Sequence, residues 1–184
     1  MKVLNRYSVG TGDRFGRQGE AQLHAFELLA AQGVEASIVW NKSNREHLLI
    51  GTEPKDQRAA SDAAVRARAY KGIYCVDADH INLSNVDKFI PWCDFFTIDV
   101  ADYIGKPASQ ERTKAFIAAR QPLEKNKSAP VPIDHATIEA SASKYLYAID
   151  EAAKVYARIL AAKPDGNFHV EVSMDETDAP QSPA

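Results

Sequence analysis

Carboxylates stand at the ends of four strand-like segments, and that recurrence is the strongest chemical signal in the chain. The segments are YSVGTGDR with Asp13, IYCVDADH with Asp77 and Asp79, FFTIDVAD with Asp99 and Asp102, and FHVEVSMDE with Asp175 and Glu176. Acids at the carboxyl ends of successive parallel strands face one shared mouth, where α/β proteins bind their ligands. A single strand-end Asp would only cap the next helix or shape a turn. Four in the same position predict a polar, metal-assisted site.

Three further clusters offer chemistry. VDADH places His80 beside Asp77 and Asp79, and divalent ions accept both carboxylate and imidazole. Strand alternation puts the two acids on one side and His80 on the other unless the chain has already turned. The same DxD spacing serves phosphatases in which one Asp is the nucleophile and the next the acid/base, so a hydrolase using Asp77 is the alternative reading. NKSNREH carries Lys42, Asn44, Arg45 and His47, and this polar loop would suit an anionic or polyhydroxylated substrate. GTGDRFGRQG is one residue off the dinucleotide fingerprint, with Asp13 and Arg14 where a pyrophosphate needs bare backbone, and it lacks the GK[ST] ending of a P-loop. Its glycines read as a tight strand-to-helix turn, with Arg14 free to grip a carboxylate in bidentate fashion.

Strand and helix patterns alternate along the chain, as they must to bring these ends together. Strands are predicted over 4–11, 35–40, 73–78, 94–99 and FHVEVSM, and helices over 18–32, 55–70, 109–120 and 135–162. A short helix in NLSNVDKFIPW would be capped by Asn82 or Ser84. Gly33 and Gly72 read as helix stops, Pro122, Pro130 and Pro132 as a break, and Asp150 with Lys154 as an i,i+4 pair. FHVEVSM alternates so that His169, Glu171 and Ser173 share a polar face. An interior strand with a polar face belongs to a barrel lumen or a cleft. The pattern predicts an α/β fold in one domain over 1–184: a parallel (β/α) barrel of TIM type, C-terminally incomplete with about five strands. An open flavodoxin-like sheet is the alternative.

Composition narrows the function. The chain has 184 residues with formal net charge −3, so it shows no electrostatic footprint for nucleic acid. No apolar run approaches a membrane span and no signal-peptide core is present. Cys75 and Cys93 read as buried free thiols, which fits a reducing, cytoplasmic setting. The open edges of an incomplete barrel would favour self-association into a homo-oligomer.

SVGTGDRFGRQGEAQLHAF, WNKSNREH with IGTEP, VDADHINL, DFFTIDVAD and VSMDET together resemble the tagaturonate (tagaturonate/fructuronate) epimerase family, in order and over nearly the whole chain. The resemblance implies a TIM-barrel-like fold, a divalent metal (zinc, manganese, nickel or cobalt) and interconversion of D-tagaturonate and D-fructuronate in hexuronate catabolism. Family members are longer and carry a later histidine-bearing stretch. Some have His where this chain has Tyr103. The inverted carbon is not adjacent to the ketone, so enediol formation alone cannot epimerise it. Retro-aldol cleavage, rotation of the aldehyde and re-addition can. A transient oxidation would need a nicotinamide, for which the sequence offers no site. On this reading Asp79, Asp99 and Asp13 are the catalytic candidates, and His80 and Glu171 the metal-ligand candidates. Arg14, Lys42, Asn44 and Arg45 would bind the ketouronate.

Overall fold

The computed structural model describes residues 3–124 and 133–174. Asp175, Glu176, Pro130 and Pro132 lie outside them. The chain divides into two compact units, Met1–Ile98 with Val155–Glu171, and Asp99–Lys154 with Val172–Ala184.

In the first unit β1 (Tyr7–Gly12), β2 (Ala36–Ser43), β3 (Tyr74–Ile81) and β4 (Phe95–Asp99, its last residue in the second unit) pair in parallel. With β5 (His169–Ser173) they form a five-stranded sheet in the order β1-β2-β3-β4-β5. The His169 amide donates to Asp94 O at 3.0 Å, and the Val100 amide to Ser173 O at 3.3 Å, so the β5 pairing advances in the parallel sense. Strands that follow chain order leave no reversal point, and the flavodoxin-like alternative, ordered 2-1-3-4-5, does not apply.

The two faces of this sheet differ. Ile38 and Trp40 of β2 pack on Leu23 of α1 (Gly19–Ala31) and Ala64 of α3 (Pro54–Ala67), forming the helix-covered core. The helices approach so closely that a Cβ on Gly19 would sit 2.8 Å from Ala64 Cβ. On the opposite face Val39, Cys75 and Phe95 cluster. The next residues in phase, Asn41, Asp77 and Thr97, are polar. Near the end of this unit Phe168 meets Phe96 edge-on with centroids 5.8 Å apart.

Several boundaries differ from the sequence reading. The polar NKS stretch continues β2 to Ser43, and NREHLLI forms α2 (Asn44–Ile50), so no loop separates strand from helix. Ser43 Oγ accepts the Glu46 amide while Glu46 reaches back to the Ser43 amide, a complete capping box. α1 ends as expected, with Gly33 at φ +83 and its amide on Ala30 O. α3 stops earlier than Gly72: Ala69 at φ +49 makes the left-handed turn, with the Tyr70 amide on Val65 O. The short helix is α4 (Val86–Phe89), entered through Asn85 without a side-chain cap. Asn82 accepts the Ser84 amide and hydroxyl instead.

The second unit holds a one-turn 3₁₀ helix (Ala101–Tyr103), α5 (Gln110–Glu124) and most of α6 (His135–Ala162). α5 runs through Pro122, where a break was expected. Asp150 does not pair with Lys154; it accepts both Nε and Nη2 of Arg112 at 2.9–3.1 Å, and Lys154 turns to Glu151. The planar guanidinium matches two carboxylate oxygens at once, which an ammonium cannot. No helix among the described residues is long and apolar enough to cross a membrane.

Candidate active site

On the face of the first unit opposite the Leu23–Trp40 core, five strands contribute to a recess of about 150 Å³. β1 offers Ser8 and the bare backbone of Gly10, β2 offers Asn41, β3 offers Asp77 and Asp79, β4 offers Thr97, and β5 offers Glu171. The register explains the convergence, since Gly12, Asn41 and Asp77 lie side by side across three strands. Asn41 reaches over β1, where Gly10 and Gly12 leave it room: a Cβ at either would touch its amide at 3.5–3.6 Å.

The centre of the recess is a threonine between two acids. Thr97 Oγ1 lies 2.9 Å from Asp77 Oδ2 and 3.0 Å from Glu171 Oε1, and the Thr97 amide donates to Asp77 Oδ1 at 3.1 Å. A hydroxyl has one proton to give. It can donate to one acid only, and the other contact is a hydrogen bond only when that acid carries a proton and donates it. The surroundings assign that proton to Asp77. Burial pushes its carboxyl up to about 7, the charges of Asp79 and Glu171 act in the same direction, and the Thr97 hydroxyl and amide act against them. Asp77 is 3% exposed while Glu171 faces solvent. The arrangement is a protonated buried acid coupled through a hydroxyl to an accessible carboxylate, and the carboxylate is the end free to take up a proton.

The expected residues are distributed around this centre. Asp79 lines the recess, and His80 Nδ1 sits 2.8 Å from its Oδ1. His80 gets there through a bulge between Ala78 and Ile81 and its own φ of +52, so the chain turns before the alternation can carry the ring to the far side. Glu171 is in the recess on Thr97. Asp13 accepts the Arg17 and Gln18 amides at 3.0 and 2.7 Å, shaping the entry to α1. Arg14 pairs with Glu46 at 3.0 Å, Asn44 is hydrogen-bonded to Lys88, and Arg45 is exposed on α2. Lys42 is buried on the helix-covered face, in phase with Trp40. Asp99, in the second unit, accepts the Ala101 amide at 3.0 Å at the entry to the 3₁₀ turn.

Among the described residues no three His, Cys, Asp or Glu side chains converge as an ion would need. His80 is turned onto Asp79, and Glu171 onto Thr97. These donors do not by themselves fit a divalent metal. The phosphatase alternative finds little support, since a carboxylate nucleophile must reach its phosphorus and Asp77 is enclosed with both oxygens engaged. Sequence reasoning ranked Asp77 below Asp79 and passed over Thr97. A lone hydroxyl inside the apolar run FFTI was the available signal.

Comparison with known proteins gives a consistent result. Residues 2–184 match the model of the tagaturonate epimerase family. The chain is similar to the tagaturonate/fructuronate epimerase of Thermotoga maritima, at 28% identity over 199 aligned positions that cover 97% of this chain and 39% of that protein. Two crystal structures of the fructuronate-tagaturonate epimerase of Cohnella laeviribosi share its fold at 22% identity. The two-glycerol complex superposes with a TM-score of 0.72 and the native form with 0.70, each over 96% of this chain and 39% of the other. The chain therefore spans about two fifths of the length of the relatives it matches.

Proposed function

Because this chain belongs to the tagaturonate epimerase family, we propose that it contributes to a catalytic domain, a (β/α) barrel of TIM type, that interconverts D-tagaturonate and D-fructuronate. The observation that carries the reading is the Asp77–Thr97–Glu171 array, a proton store joined to an accessible base. Glu171 takes the proton of the hydroxyl on the carbon to be inverted. The adjacent carbon–carbon bond breaks, its electron pair passes to the ketone oxygen, and an aldehyde fragment and an enediolate fragment result. The aldehyde rotates, the bond re-forms on its other face, and the proton returns to the new alkoxide. Glu171 holds that proton in the interval while the Thr97 hydroxyl stays hydrogen-bonded to it, and Asp79 is placed to hydrogen-bond the enediolate. The divalent metal implied by the family would need ligands beyond the described residues, and no step here runs through it.

The test is conversion of D-tagaturonate to D-fructuronate, followed by chromatography, with this chain and with the Thermotoga maritima relative side by side. Turnover by this chain is expected to fall by about 10²-fold or more in Glu171→Gln. Thr97→Val should lose activity and Thr97→Ser should recover it. Full activity in Glu171→Gln would remove the array from the reaction. Turnover by the relative alone would mean that the residues present here do not complete the site.

A further inference from the structure

Lys42 is enclosed by the fold, with 3% of its surface exposed, yet it forms no hydrogen bond or close ion pair among the described residues. A buried ammonium without a partner is costly. Asp13, Glu46 and Asp56 are near enough to favour its charge, but each is engaged elsewhere. Asp13 holds the Arg17 and Gln18 amides, Glu46 holds Ser43 and Arg14, and Asp56 holds the Glu53 amide. Gln57 gives its Nε2 to Trp40 O.

What adjoins Lys42 is space. A recess of about 280 Å³ opens beside it, with Trp40, Gln57 and Ser61 in its wall. Gly16 and Gly19 on one side and Ala60 and Ala63 on the other keep it open. Side chains alternate along β2, so Lys42 lies on the opposite face from Asn41 and Asp77. From the unpartnered buried cation and the recess it lines, we infer a second binding site, for a small monocarboxylate that meets Lys42. The three neighbouring acids disfavour a phosphate dianion, and the Arg17 and Gln18 amides that could cradle one are already taken. The inference does not depend on the epimerase reading.

Trp40 lines the recess and can report on it. In a Trp92→Phe background, the chain is titrated with sodium D-glucuronate and, at equal ionic strength, with sodium phosphate while its fluorescence is followed. A saturable change with glucuronate is expected, with the midpoint raised about tenfold or more in Lys42→Met. Ala63→Leu, at the exposed rim, should narrow the recess and raise the midpoint while leaving Lys42 in place. Asp77→Asn should leave it unchanged. An absent response, an unchanged midpoint in Lys42→Met or Ala63→Leu, a shifted one in Asp77→Asn, or tighter binding of phosphate overturns the assignment.

Discussion

Two buried titratable residues pull stability in opposite directions. Asp77, raised from 3.8 to about 7, holds its proton in the folded state where the unfolded chain has released it. Its contribution therefore makes stability fall as pH rises from about 4 to 7. His47 is pushed down from 6.5 to about 4, first by burial and then by the charge of Lys42. The unfolded chain binds the proton that the folded one refuses, so this contribution makes stability rise with pH over about 4 to 6.5. The two nearly offset each other in the parent chain. Asp77→Asn should remove one and leave the other, giving a melting temperature that climbs from pH 4 to 6.5 and then levels off. An unchanged pH profile in that variant would show that Asp77 titrates normally.

Elements are held by contacts that tolerate little change. Gly19→Ala would drive a methyl against Ala64 and should destabilise the chain by about 1–3 kcal/mol, measured by urea unfolding. Some of these features were legible in sequence and others were not. Gly33 announces the end of α1 because glycine adopts a positive φ freely, whereas Ala69 does the same work for α3 and gives no such sign. Asn41, Lys42 and Ser43 read as loop because strand propensity is low for polar residues, yet parallel pairing with β3 keeps them in the sheet. Asp79 and Glu171 could be placed by alternation alone. The Asp77–Thr97 pair could not, because it depends on the register between β3 and β4, and the bulge that turns His80 is likewise invisible in one strand's sequence.

At the scale of the molecule, the strand order predicts its weak point. β1 closes one end of the sheet with Tyr7 and Val9 about half exposed, and an apolar edge of that kind pairs readily with other chains. Val9→Lys should shift the chain toward the monomer in size-exclusion runs at rising concentration; identical elution would show that this edge does not pair with other chains. The junction of β2 and α2 has a different consequence. Ser43 is at once the last residue of the strand and the cap of the helix, so the rotation of α2 is fixed by the pleat of β2. One inserted residue there would turn the helix by about 100° and carry His47 away from its contact with Phe89. Length changes, which most connections between elements absorb, would here be as damaging as a substitution in the core.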